Sequence, residues 1–285
     1  MTRRISPTVR RRRLSAVLRQ LRHQHGKTLD VVTADLEWSR GRLAHMEGNK
    51  WLRPDLGNIR QLLDYYEVNE PTAREATLNL ARQSRERGWW TKQYKDAFES
   101  GSLVGFESEA SVVSTWQPIV VPGLLQTEEY AAASARAALA RPAAEVERIV
   151  EARMARQEVL DGEQPPTVWA IIDESVLHRL PSEGGVAHRQ ITRLVDFAED
   201  PDNQITVQVL PFTAGLHPGI SGPFVLLDFQ DELDAPLVFL ESRTDGLFLE
   251  ERPEVNEYRL VFDHLQVTAQ SQADSLRLMK KMLTE

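Results

Sequence analysis

One stretch constrains this chain more than any other: Thr28 to Lys50, TLDVVTADLEWSRGRLAHMEGNK. Leu29, Val32 and Leu36 fall three and four residues apart, the spacing of one buried helical face. Leu43 and Met46 repeat that spacing a few residues on. The pattern predicts two short helices joined by a tight turn. Thr28 is placed to cap the first helix and Ser39 the second, since a hydroxyl there accepts from a free backbone N–H of the first turn. The outward positions of the second helix are Arg40, Gly41, Arg42, Ala44 and His45. That face is short, basic and polar. Such a face suits the base edges of a DNA major groove, where an arginine pairs bidentately with guanine.

Charge agrees with this reading. The whole chain carries 34 Lys+Arg against 42 Asp+Glu, a net of −8. Residues 1–60 hold 14 basic and 5 acidic residues, a net of +9, so the remainder holds 20 and 37, a net of −17. A basic head on an acidic body fits a DNA-binding module joined to a part that does not bind DNA. The 285 residues suffice for two cores, and the absence of cysteine excludes disulfides and Cys-ligated zinc. The basic N-terminus lacks a following apolar run and is not read as a signal peptide. No stretch nears the roughly 18 apolar residues of a membrane span. A cytoplasmic, nucleoid-associated protein is expected.

Around the central stretch the head builds itself from helices. Ser6-Pro7 is a cap and first-turn pair, and the helix it opens should end at Gly26, with Leu14, Leu18 and Leu21 inside. Arg10 to Arg13 lie in its first half, where arginines can meet phosphates and make binding salt-sensitive. Lys50 and Arg53 follow the second helix of the central pair and are further candidates for the DNA backbone. Pro54-Asp55 should start a helix with Ile59, Leu62, Leu63 and Tyr66 on one face. A five-helix bundle over residues 1–69 is expected, then a helical connector over 70–89, then a C-terminal regulatory domain over 90–285.

That domain reads as helices first, a small sheet next, helices last. Ser102 to Ser114 is taken as helical, and strands are expected only after Pro165-Pro166. They are 167–172, 205–210, 224–229 and 237–240. Helices are expected near 127–139, 145–160, 173–178, 186–198, 253–269 and 273–283. The fold class is therefore mainly α with an α+β C-terminal part.

The central stretch resembles the helix-turn-helix of XRE/Cro-like repressors, through its Ser39-Arg40 start and its Leu43-Ala44-His45-Met46-Glu47-Gly48 ending. Two positions depart from that pattern. Glu37 stands where the turn usually has glycine, and a positive φ there costs about 1 kcal/mol. Leu29 stands where a phosphate-touching Gln is common. The C-terminal part is similar to a group of actinobacterial XRE regulators. The matching runs include Val121 to Ala131, Arg153 to Gln157, Asp173 to Leu177, Val209 to Phe212, Gly215 to His217, Gly222 to Phe224 and Ser275-Leu276. The resemblance implies a Cro-like fold for the head. It also implies an antitoxin-like regulator paired with a small partner protein, and a homodimer, since one head offers few base contacts and two heads match a palindromic site.

Enzyme chemistry finds little support. Asp173, Glu174 and His178 invite an acid/base reading, but paired acids at a strand end usually open a helix. His178, His188 and His217 lack a ligand spacing for metal. No phosphate-binding glycine loop, dinucleotide fingerprint or nucleophile elbow is present. No catalytic residue, cofactor or metal is therefore expected. Three functions stay in view: a DNA-binding regulator whose body binds a protein, the same regulator with a small-molecule sensor body, and an enzyme with a DNA-binding head. The Pro211–Pro223 loop is the candidate border of a pocket or a partner surface. The residues expected to contact double-stranded DNA are Arg40, Gly41, Arg42 and His45 in the groove, with Thr28, Ser39, Lys50 and Arg53 on phosphates.

Overall fold

A computed structural model describes residues 6–51, 53–94, 101–138, 142–242 and 246–284. Two compact units divide the chain: Arg4–Lys92 with Gln230–Ala235, and Gln93–Phe229 with Pro236–Glu285. Helices dominate both, and the second unit adds one six-stranded sheet, so the expected fold class stands.

In the first unit, α1 (Pro7–Gln24) begins where Ser6 accepts from the Val9 N–H at 3.3 Å, and the chain leaves it through Gly26 at φ 60°. Next come α2 (Leu29–Asp35), α3 (Arg42–Glu47) and α4 (Leu56–Tyr65). Asp55 caps α4 by accepting from the Asn58 N–H at 2.9 Å. The core joins Leu14 and Leu18 of α1, Val32 of α2, Leu43 and Met46 of α3, and Ile59, Leu62 and Leu63 of α4. The helix expected as a connector is α5 (Pro71–Gln83), and it packs into this bundle: Leu78 and Ala81 are buried in the same core. Its polar sequence is the solvent side of an ordinary amphipathic helix. A short α6 (Trp89–Gln93) follows.

The second unit opens with α7 (Gly101–Glu107) and then β1 (Ala110–Gln117). Here the expectation of a helix through Ser114 is corrected. Ser111 to Trp116 is a strand because Val112, Val113 and Thr115 are β-branched and the residues around Trp116 are buried, which a central strand rewards. The other strands are β2 (Thr167–Asp173), β3 (Ile205–Leu210), β4 (Phe224–Phe229), β5 (Leu237–Glu241) and β6 (Gly246–Leu249). Their order is β3-β2-β1-β4-β5-β6, parallel between β1, β2 and β3 and antiparallel from β1 through β6. The long connections that a parallel pair needs are α8 (Glu128–Ala138) with α9 (Ala143–Gln157), and α10 (Glu174–His178) with α11 (Val186–Glu199). The chain ends in α12 (Arg252–Thr268) and α13 (Gln272–Met282).

Both faces of the sheet are covered, and the strands alternate between them. Ala170, Ile172, Val207 and Val209 meet α10, α11 and α13, whereas Ile171, Leu210, Phe224 and Val238 meet Val255, Phe262 and Leu265 of α12. The turn between α12 and α13 lies along β3. The Gln270 N–H donates to the Val209 carbonyl at 2.9 Å, and the Ser275 hydroxyl accepts from the Val209 N–H at 2.9 Å.

The run Val121 to Tyr130 has only a short 3-10 turn, Gly123–Leu125, ahead of α8, so side chains satisfy much of its backbone. Gln126 donates to the Val121 carbonyl at 2.8 Å, and Gln157 donates to the carbonyls of Gly123 and Gln126 at 2.8 and 2.9 Å. Gln190 accepts from the Thr127 N–H and donates to the Leu125 carbonyl, at 2.8 and 2.9 Å. Arg156 forms a two-pronged pair with Glu107, both contacts 2.6 Å. Burial opposes the Arg156 charge, yet the Glu107 carboxylate more than compensates and raises its pKa. The segments Val121 to Ala131 and Arg153 to Gln157 are thus two halves of one polar clamp.

Candidate nucleic-acid interface

The interface is built by α2 and α3. Thr28 caps α2, accepting from the Val31 N–H at 3.3 Å. The turn that follows contains Glu37 at φ 56°, the left-handed position expected there, occupied by a residue that pays for it. Ser39 does not cap the second helix. Helical dihedrals begin only at Arg42, because Gly41 sits at φ 89° and no side chain caps α3. The Arg42 N–H donates to the Ser39 carbonyl at 3.1 Å, so the hydroxyl is left to solvent. Ser39, Arg40 and Gly41 are therefore in the turn, one step ahead of the helix.

The eight candidate residues share one property: Thr28, Ser39, Arg40, Gly41, Arg42, His45, Lys50 and Arg53 are all exposed. Leu43 and Met46 point the other way, at 0% and 3% exposure. Arg42 and His45 are three apart on α3 and lie on its outer side, with the exposed Ala44 between them. The Arg42 guanidinium lies 5.3 Å from the centre of the Trp38 ring, a cation–π contact that orients it. Trp38 is itself tied to Gln61 of α4, its Nε1–H donating at 3.2 Å. At the far end, Asn49 at φ 53° turns the chain, and the Lys50 N–H closes onto the His45 carbonyl at 3.0 Å.

What holds α3 in place is a set of arginines to which sequence patterns did not give this role. Glu47 is 4% exposed, and the Arg22 guanidinium grips it through Nε at 2.8 and 3.1 Å and through Nη2 at 2.8 Å. Hydrogen bonding to Glu47 raises the Arg22 pKa. Arg19 donates to the Glu47 carbonyl at 2.8 Å, and Arg11 to the Asn49 side chain at 3.2 Å. These contacts span 25 to 38 residues of sequence, beyond the reach of helical spacing.

The same geometry corrects the phosphate role expected of the Arg10–Arg13 run. Arg12 is 7% exposed and donates to the Ala235 carbonyl at 2.6 Å. Arg13 pairs with Asp231 at 2.8 Å and with Asp234. With Arg11 on Asn49, three of the four arginines are committed within this unit.

The acid/base candidates also have structural work. Asp173 caps α10, accepting from the Ser175 N–H at 2.9 Å, and Glu174 accepts from the Phe212 N–H at 2.8 Å. His178 lies 3.6 Å from Glu174 and stacks on Phe212. Among the described residues, no group of three or more His, Cys, Asp or Glu is placed to hold a metal ion, and no helix is long and apolar enough to cross a membrane.

Comparison with known proteins agrees with this division. Residues 13–76 match a family described as a helix-turn-helix domain, and residues 100–281 match one described as a domain of unknown function, DUF5753. No curated protein and no solved structure matches the chain. An XRE-like helix-turn-helix is a DNA-binding module, and α2 and α3 are its two helices. The second match spans well over half of the sequence, and the chain belongs to the DUF5753 family.

Proposed function

We propose that this protein is a sequence-specific transcriptional regulator that binds double-stranded DNA as a homodimer. In this reading Arg40, Gly41, Arg42 and His45 enter the major groove and Thr28, Ser39, Lys50 and Arg53 meet phosphates. The observation that carries it is the exposed basic face of α3 and its preceding turn, held rigid from behind by Arg19 and Arg22. Residues 1–69 read DNA, residues 70–89 lead on from that bundle with α5 packed against it, and residues 90–285 bind a small partner protein in an antitoxin-like pairing. The protein acts in the cytoplasm, on the nucleoid. Support for a partner comes from the loop after β3, which presents Phe212, Leu216 and Ile220 at 61%, 91% and 66% exposure, more apolar surface than an isolated side chain offers.

Selection of bound sequences from random DNA, followed by footprinting, tests the first half. Two half-sites about one helical turn apart are expected. Arg40→Ala should lose about 1–3 kcal/mol on the selected site and relax preference at one base pair. Equal weakening on selected and random DNA would make Arg40 a phosphate contact and refute the register. Residues 90–285 alone should bind no DNA. For the second half, the tagged protein is recovered from its host and bound proteins are identified by mass. A small protein at near-equal amount, lost on Leu216→Asp, supports the pairing. A bound small molecule in its place would favour a sensor.

A further inference from the structure

In the second unit, α8, α9 and residues 181–186 enclose an open groove of about 1230 Å3. Its floor is apolar: Val146, Val150 and Met154 of α9 face Ala132 and Ala133 of α8. Its rim is acidic. Glu128, Glu147, Glu151 and Glu183 line it, all exposed and none ion-paired among the described residues. The cations at the rim are Arg136 and Arg189, and Arg189 is held by Glu129 at 2.8 Å. The sequence places these acids with a purpose, since Glu147, Glu151 and Met154 share the side of α9 on which Val150 lies.

We propose that this groove receives a basic amphipathic helix of a protein partner. An apolar floor between acidic rims is the complement of a helix with apolar residues on one face and lysine or arginine on its flanks. The volume exceeds the roughly 300–1,000 Å3 of small-molecule pockets, and the open shape suits a segment of chain. Alanines at positions 132 and 133 let that segment approach the backbone of α8. This goes beyond the proposed function, because it concerns a surface separate from the loop after β3 and does not depend on which DNA is read.

The test uses the full-length protein and a fluorescein-labelled peptide of about four helical turns, leucines on one face and lysines on the other. Anisotropy should report binding that weakens with salt. The Glu147→Lys/Glu151→Lys protein should bind at least about tenfold more weakly. A Glu254→Lys/Glu257→Lys control on α12, with the same change in charge, should bind as the parent does. A peptide with glutamates in place of lysines should not bind. Unchanged DNA binding and circular dichroism establish that the groove variant is folded. No binding of the lysine peptide, or equal weakening by both variants, overturns the inference. So does spermine binding at the groove without peptide binding. These failures leave the partner-binding reading of residues 90–285 standing, since that reading rests on the loop after β3.

Discussion

Replacing Glu47 by alanine should loosen α3 without touching any of the residues proposed to face DNA. Glu47 is 4% exposed and takes three contacts from Arg22, whose side chain is 11% exposed. Removing one partner of a buried pair costs about 3–5 kcal/mol, since the other charge is left without compensation. Arg22 keeps its bond to the Lys27 carbonyl at 3.0 Å and can turn toward water, so the cost falls at or below the bottom of that range, about 2–3 kcal/mol. The amides of His45, Gly48 and Lys50, which bond to the carbonyls of Gly41, Ala44 and His45, report the loss directly. Their hydrogen exchange in full-length Glu47→Ala should quicken by roughly 30- to 150-fold. Glu47→Gln keeps an acceptor oxygen and should lose less. Arg22→Ala should match Glu47→Ala, and the double variant should be little worse than either, as coupled residues are. Unchanged exchange, or additive losses in the double variant, would refute the clamp.

Three further outcomes are expected. Glu37→Gly relieves a side chain held at φ 56° and should raise the denaturant midpoint by the equivalent of about 0.5–1 kcal/mol; a fall would mean that the turn is not strained. Ser275→Ala strips the Val209 N–H of its acceptor in a fully buried site and should cost about 1–3 kcal/mol in the melting of the second unit; an unchanged melt would show that the bond contributes nothing. Glu70 caps α5 through the N–H groups of Thr72 and Ala73, which lower its pKa below its ordinary 4.5. Its contribution is present above 4.5 and is lost as pH falls through the lowered value, so stability measured down an acid series should drop less steeply in Glu70→Gln than in the parent. Identical slopes would remove the cap from the account.

The head was legible because its helices announce themselves locally. Ser6-Pro7, Thr28 and Asp55 are caps read one residue at a time, and Leu14, Leu18, Ile59 and Leu62 keep helical spacing to the core. The start of α3 was not legible in that way. Ser39 is a good cap by type, and only the backbone of Gly41 moves the helix on to Arg42. Glu107 and Arg156 could not be paired from sequence, since 49 residues separate them. Strand β1 was misread because Phe106 and Ala110 prolong a helical spacing into a segment whose valines and threonine belong to a sheet. Strand β6, four residues at the end of the order, is too short to show a period of its own. Of the residues proposed for the groove, Arg42 and His45 followed from periodicity, whereas the arginines that hold α3 lie on a different helix.

The α12–α13 turn along β3 has a consequence for how this protein can assemble. A terminal strand of a sheet offers unpaired amides and carbonyls to any extended chain that drifts past, and aggregation often begins at such a margin. Here Val209 gives its N–H to Ser275 and its carbonyl to Gln270, and the Gln208 side chain bonds the Gln270 carbonyl at 2.8 Å. The margin at β3 is thereby occupied by the chain's own C-terminal helices. Another strand cannot zip onto it unless α13 first peels away. On this side of the sheet two copies, or a copy and a partner, must then meet through helices and loops, and release of the last eleven-residue helix becomes the step that exposes a sticky edge.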